Sequence, residues 1–468
     1  GAAGRRRYEE RFTPERMTDG LVDFLSAIGS SRASARHLSQ QRPPPVRVPS
    51  ASKPARLQPA VDAGERRPMR TTRVALVCSV VARHEGVAAV VRHALATMRA
   101  AGGFEVCVFT ARNDFADMPA HVVEGVAQLL LHPAFLAADL VIYHFGIYHP
   151  LFDALIAGVG RARQIAVFHN VTPLELVSPE QRPVIEASFR QLFNLKRADR
   201  IWADSEVNAA ELVARGFDRD QIEIIPLAVG RPPPAALADK PGGEVELLFV
   251  GRIVRSKGVL DLVAAVDLAR RACDVSFRLS IAGNLEFSDP AYVEKIKRTI
   301  AERSLACVRF LGTVEDDALA SLYHGAHILT IPSHHEGFCA PVIEGLRSGC
   351  IPVGYAAYNL PHVAGRLGRM VALGDRAAFA AALTEVIAAV AQSAGRPDAP
   401  LLPLDCGRVS RRAFDQAARA HVARFAPERV GGAMLRSIAQ LLAAPATQPR
   451  NAGREAGRAA ESLDRASA

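Results

Sequence analysis

The sequence contains no C-x-x-C pair, and its seven cysteines (Cys78, Cys107, Cys273, Cys307, Cys339, Cys350 and Cys406) are odd in number. Both facts argue against a disulfide framework or a cysteine-based zinc site. Most of the cysteines lie in apolar runs such as VALVCSV and FEVCVFT, and read as buried free thiols in a reducing compartment. No apolar run reaches the roughly 18–20 residues needed to span a bilayer. The first residues, GAAGRRRYEE, lack the apolar stretch of a secretory signal. The expectation is a cytoplasmic protein, with peripheral contact at the inner face of the membrane left open. There is no short-period repeat and no Walker or G-x-G-x-x-G motif, so ATP-driven chemistry and ordinary NAD binding have no support.

The chain has 468 residues, 49% hydrophobic and 22% charged, a composition suited to two globular domains. Each would bury roughly 70% of its unfolded surface, enough for its own core. The net charge is +9, but residues 1–70 carry 14 Lys and Arg against 7 Asp and Glu, so seven of the nine charges sit there. The basic balance therefore belongs to an extension, not to a nucleic-acid-binding face of the folded part. Residues 1–70 are expected to be a disordered basic extension, with a short helix near Leu21–Ile28 its only regular element. Met69 is the expected natural start, which would make residues 1–68 dispensable for folding and activity.

From Thr71 onward, short runs rich in Val and Ile alternate with helical stretches. RVALVCSVV, FEVCVFTA, LVIYHFG, QIAVFHN, RIWADS and IEIIPLAV read as strands buried on both faces of a parallel sheet. A helix ending at Gly102–Gly103 and another from Pro179 to about Arg197 lie between them. A second series, VELLFVGRI, SFRLSIAG, VRFLGTV, HILTIPS, IPVGYAA and RMVALGD, has helices at Val259–Cys273, Pro290–Ser304 and Pro341–Ser348. The expected class is α/β, with two doubly wound Rossmann-like domains facing across a cleft. The expected boundaries are 71–229 for the first domain, 230–243 for a Pro/Gly-rich linker and 244–425 for the second domain. A closing helix at 426–444 and a frayed tail at 445–468 complete the chain.

Two segments carry chemistry. IPSHHEGFCAPVIEGLRSGCIPV, residues 331–353, holds Glu336 and Glu344 with seven residues between them. Glu336 falls in the loop at a strand's carboxyl end, where open α/β sheets bind ligands. Pro341 suits the first turn of the next helix, which places Glu344 one turn inside it. Backbone N–H groups of Gly337, Phe338, Cys339 and Ala340 would then face the cleft as an anion site. In LFVGRIVRSKGVLDLV, residues 248–263, Gly251 permits a close turn and Arg252 and Lys257 follow. Two cations there suit a diphosphate, each charge-assisted hydrogen bond contributing roughly 1.5–3 kcal/mol. Either segment alone reads equally as a solvated loop; their succession in one βα half is what points to a site.

These segments resemble the family 4 retaining glycosyltransferases, which have the GT-B fold. GRIVRSKG resembles the family's G-R-x-x-x-x-K-G element and EGFCAPVIE its E-x7-E element. The resemblance spans residues 71–440. It implies sugar transfer from a nucleoside diphosphate sugar to a saccharide or lipid-linked acceptor hydroxyl, without metal or cofactor. It implies that Arg252 and Lys257 contact the donor diphosphate, that Glu336 sits near the donor sugar, and that Glu344 binds the ribose. VFHNVTP is similar to a strand-end motif of members that build bacterial polysaccharides, which would put His169 beside the transferred sugar. A core or second-layer histidine is the alternative there.

Other residues stay open at this point. His144 ends a strand and either lines the substrate or packs inside. Where the family has paired glycines, this chain has Glu85 and Gly86, so a carboxylate either lines the acceptor side or belongs to a different loop. Cys339 replaces a frequent glycine and would narrow the pocket. Asp204 is expected to order the turn before the next helix. Glu315–Asp317 is expected to cap a helix rather than bind metal, and His324 and His327 to be structural. A nucleotide-sugar epimerase of the same fold and a non-catalytic nucleotide-sugar-binding subunit are the rival readings.

Overall fold

The computed structural model describes residues 71–83 and 85–445; the expectations for residues 1–70 and for the tail beyond 445 lie outside the described residues. The first sheet comprises β1 (Thr72–Cys78), β2 (Phe104–Thr110), β3 (Ala120–Val122), β4 (Leu140–Phe145), β5 (Arg163–Phe168), β6 (Arg200–Ala203) and β7 (Ile222–Ile224). The second comprises β8 (Val245–Val250), β9 (Phe277–Ala282), β10 (Val308–Gly312), β11 (Ile328–Ile331), β12 (Ile351–Tyr355) and β13 (Arg369–Val371). All neighbouring strands in both sheets run parallel. β4, β11 and β12 are buried along their whole length, as their unbroken apolar sequences require of strands covered on both faces.

The strand orders are β3-β2-β1-β4-β5-β6-β7 and β10-β9-β8-β11-β12-β13. Each sheet reverses direction once, between β1 and β4 and between β8 and β11. Loops leaving adjacent strands at such a reversal run to opposite faces and leave a crevice at the carboxyl ends. The architecture is the GT-B pair of Rossmann-like lobes.

The helices used below are α1 (Gly86–Ala101), α2 (Arg182–Leu192), α3 (Glu206–Ala214), α4 (Val259–Ala272), α5 (Pro290–Glu302), α6 (Asp316–Gly325), α7 (Ala340–Arg347), α8 (Arg411–Val422) and α9 (Pro427–Ala443). α2 is shorter than its periodicity predicts, because Phe193–Arg197 tightens into a 3-10 turn. The Pro/Gly-rich stretch 230–243 is not a solvated tether. Leu237 is fully buried, and the N–H groups of Leu237 and Ala238 donate to the Asp415 carboxylate at 2.7 and 2.9 Å. Arg411 of α8 donates to the Leu237 carbonyl at 3.0 Å. α9 returns to the first lobe, where the Trp202 indole donates to Ser437 at 2.9 Å.

All seven cysteines are free, but only Cys78 and Cys350 are buried, and Cys406 is exposed. The apolar runs overstated their burial: Cys107, in the middle of β2, is only partly covered. No helix among the described residues is long and apolar enough to cross a membrane.

Candidate active site

In the second lobe, the loop after β8 and the loop after β11 dock on each other through backbone. Gly258, with φ +65°, lies so close to the Pro332 carbonyl that a Cβ would fall 1.9 Å from its oxygen. Only glycine fits both the conformation and the space. The His334 N–H donates to the Ser256 carbonyl at 2.8 Å. This docking brings the Lys257 ammonium to 2.6 Å from Glu336 Oε1, which also accepts from the Ser333 hydroxyl at 2.8 Å. Burial alone would lift the Glu336 carboxyl. The Lys257 charge, with hydrogen bonds from Lys257, Ser333 and Cys339, overcomes it and holds the group below the usual glutamate range.

Arg252 stands apart from this pair, exposed and without a partner among the described residues. Cys339 adopts a left-handed conformation, φ +72°, at the N-cap of α7, which accounts for glycine being common there. Burial first, then the Glu336 charge, push its thiol well above the ordinary cysteine range, so it is no reactive nucleophile. Phe338 turns inward against Phe425, with ring centroids 5.4 Å apart. Its side chain belongs to the core, and only its backbone is available to a ligand. One turn into α7, Glu344 accepts from the Tyr323 hydroxyl at 2.6 Å. Burial lifts its carboxyl to about 7; the Tyr323 bond opposes this and Asp316 adds to it.

The acidic run Glu315–Asp317 begins α6, but the Glu315 side chain makes no cap hydrogen bond. Asp316 instead pairs with Arg231 at 3.0 Å. His324 and His327 bond the carbonyls of Pro233 and Pro241 and are structural.

In the first lobe, strand register gathers residues that are far apart in sequence. Phe168 pairs with Ala203, so His169 and Asp204 follow side by side; His144 pairs with Val167 and shares a face with His169. His169 Nδ1 lies 2.9 Å from Asp204 Oδ2, and its Nε2 lies 3.2 Å from His144 Nδ1. Burial pulls the His169 imidazole down, but the Asp204 carboxylate, and Glu85 more weakly, raise it above the usual histidine range. Burial and then the neighbouring His169 charge push His144 far below it.

One expectation is corrected here. Asp204 does not order the turn: Ser205 caps α3 by accepting from the Asn208 N–H, and the Asp204 carboxylate serves His169. Glu85, left open by the sequence, caps α1, accepting from the Ala88 N–H at 2.8 Å, with Gly86 the first helical residue. The signal for Asp204 was its place at the end of the strand after the His169 strand.

The lobes meet directly. A Cβ on Gly337 would fall 2.7 Å from the Asn170 Cβ. Asn170, itself at φ +75°, donates to the Tyr358 hydroxyl at 2.9 Å and to Glu211 at 2.9 Å, and its carbonyl oxygen lies 2.7 Å from His335 Nε2. Tyr358 also donates to Glu211. The Ser205 hydroxyl reaches the Gly337 carbonyl at 3.3 Å. On the surface, Arg112 pairs with Glu286 at 2.5 Å. His169 thus adjoins the loop that carries Glu336.

Residues 237–391 match the family model described as glycosyl transferases group 1. The chain is 26% identical over 270 residues to the O-antigen chain mannosyltransferase B of Escherichia coli, which covers 54% of this chain and 68% of that one. Other curated relatives are matched over 26% to 44% of their own length. Among solved structures, sucrose-phosphate synthase of Thermosynechococcus elongatus aligns with TM-score 0.62 at 22% identity, covering 80% of this chain and all of that one. Anabaena HepE in complex with UDP-glucose aligns with TM-score 0.58 at 15% identity, covering 79% and 99%. The resemblance to group 1 glycosyltransferases read from the motifs therefore stands, and the matching family model and curated relatives share one enzyme class.

Proposed function

We propose that this glycosyltransferase moves a sugar from a nucleoside diphosphate sugar to an acceptor hydroxyl with retention of configuration, in bacterial polysaccharide or glycolipid assembly. The observation that carries the reading is the Lys257–Glu336 contact at the second sheet's reversal, with unpaired Arg252 on the same loop and the N-terminus of α7 alongside. As the bond from C1 to the phosphate oxygen breaks, its electron pair stays on the diphosphate. Arg252, Lys257 and the α7 N–H groups would meet that charge, so no metal is called for, and chelator should leave turnover unchanged. The acceptor oxygen would attack from the leaving-group face and pass its proton to the departing phosphate, without a protein nucleophile. Glu344 would take the ribose hydroxyls, and His169 would stand by the transferred sugar. Closure of the two lobes would exclude water.

The bound sugar nucleotide in HepE and the mannosyltransferase relative support a donor panel of UDP-, GDP- and ADP-sugars that includes GDP-mannose. A true donor at a hundred times its Kd stabilises the native state by about 2.7 kcal/mol, readable as a rise in Tm. The anomeric configuration of the product, read by NMR, tests retention. A panel in which no sugar nucleotide raises Tm overturns the reading.

A further inference from the structure

Three groups from three strand ends form a buried chain: Asp204, His169 and His144. His144 is 2% exposed and Asp204 3%. Two atoms of the chain are buried with no hydrogen-bond partner, Asp204 Oδ1 and His144 Nε2. An unsatisfied buried polar atom costs about 1–3 kcal/mol, so a structural role alone leaves both ends unexplained. We infer that Asp204 is a positioning residue for the proposed transfer: it keeps a proton on His169 and thereby fixes His144 as the Nε2–H tautomer.

The argument is one of counting donors. The Asp204 carboxylate accepts only, so His169 Nδ1 carries a hydrogen in either charge state. If His169 is cationic, its Nε2–H donates to His144 Nδ1, which must then be bare, and the His144 hydrogen sits on Nε2. If His169 is neutral, its Nε2 is bare, His144 donates from Nδ1, and the open Nε2 is an acceptor. One proton on His169 thus decides whether the open end donates or accepts. The groups facing His169 are Asp204 on one side, His144 on the other and Glu85 at the start of α1. Two of the three are acids, and the third is held neutral by burial, so the cationic form is favoured. Glu85 is committed to its helix cap, which leaves Asp204 as the group in direct contact.

The bearing of this pair on turnover rests on the function proposed above; the tautomer assignment does not. The test is imidazole 15N NMR on the full chain, in wild type and Asp204→Asn, across pH 5 to 9. The expected result is a cationic His169 and an Nε2–H His144 in wild type at pH 6.5. In the variant the His169 midpoint falls by about 1–3 units, as loss of an adjacent opposite charge dictates, and His144 switches to Nδ1–H. An Nδ1–H His144 in the wild type at pH 6.5, or an unchanged midpoint in the variant, overturns the inference. Should the variant fail to fold, the wild-type tautomer alone decides. With a donor from the panel in hand, kcat against pH should lose its alkaline limb at lower pH in Asp204→Asn while donor KM stays put. A pH profile identical to wild type overturns the link to substrate even where the NMR result holds.

Discussion

Each lobe buries one carboxylate against one cationic group at the carboxyl ends of its sheet, and the two pairs differ in what holds the proton. In the second lobe Glu336 meets the Lys257 ammonium at 2.6 Å, and this charge holds the carboxyl below the usual glutamate range. In the first lobe Asp204 meets His169, an imidazole whose titration is raised above the usual histidine range. The difference suits the tasks proposed for the two lobes. A leaving diphosphate needs standing positive charge, whereas a group beside a transferring hydroxyl gains from a proton it can hold or release. pH dependence near neutrality should therefore arise in the first lobe and tolerance of pH in the second, Glu344 excepted.

Lys257→Met breaks this contrast most severely. It removes one cation from the proposed diphosphate site, and by analogy with loss of a charge-stabilising donor kcat should fall about 10²–10³-fold. It also leaves Glu336 buried without its partner, a change that costs about 3–5 kcal/mol of stability. The double variant Lys257→Met/Glu336→Gln should recover most of that stability in urea melts and none of the turnover. If the double variant regains turnover, Lys257 serves only to neutralise Glu336. Arg252→Ala, at an exposed residue, should lose kcat on the same scale with an unchanged melt.

The pH limbs of stability sharpen the contrast next. Glu336 is held below the usual glutamate range, so its contribution is complete above about 4.5 and is lost as pH falls through the depressed value. His169 is raised, so its contribution is complete below about 6.5 and is lost as pH rises through the elevated value. The acid limb should vanish in the Lys257→Met/Glu336→Gln variant and the alkaline limb in Asp204→Asn. Urea midpoints from pH 3 to 9 check both, and a wild-type alkaline limb that survives Asp204→Asn would assign it elsewhere.

The same contrast governs what the sequence made legible. In the second lobe the informative residues fall within two short runs, 251–258 and 331–344, because one loop and one helix start carry them. Even there, spacing could not say that Phe338 faces Phe425, since core packing chooses that rotamer. In the first lobe the partners come from separate strands, and contact between residues 144, 169 and 204 exists only after the strand order is known. Asp204 followed by Ser205 reads locally as a helix start, and Ser205 took the cap. Glu85 stayed open because its site lacks the paired glycines, and only the backbone shows that it is the N-cap of α1 and bonds the Ala88 N–H. The inter-lobe contacts of Asn170 with Tyr358 and His335 span 188 and 165 residues and carry no local signature.

Glu344 is the exception in the second lobe, with a carboxyl lifted to about 7 by burial. In the proposed role of acceptor for ribose hydroxyls it binds best when ionised, so donor affinity should strengthen as pH rises from 6 to 8. Tyr323→Phe removes the bond that favours the ionised form, and should move that rise to higher pH. Glu344→Ala should weaken donor binding about tenfold, the scale of one hydrogen bond to a charged group, with a smaller effect on kcat. Calorimetric titration with the donor at several pH values measures all three. A pH-independent Kd in the wild type would remove Glu344 from the nucleotide site.

The smallest effect concerns how the lobes hold together. The Tyr358 hydroxyl accepts from Asn170 and donates to Glu211, so a second-lobe residue satisfies two groups of the first. Tyr358→Phe deletes both bonds but leaves Asn170 bonded to Glu211 and Asn208, so no buried donor is stranded. The net cost should stay near 0.5–1.5 kcal/mol, a factor of about 2–10 in the balance between closed and open lobes. If donor binds across the closed form, its apparent Kd should rise by that factor while kcat at saturation barely moves, because saturating donor restores closure. Small-angle scattering without donor should show a slightly larger radius of gyration. An unchanged Kd with an unchanged radius would mean that the backbone contact of Gly337 with Asn170 sets closure by itself. The first lobe would then influence donor binding by shape alone, and its titrating pair would act only after the donor is in place.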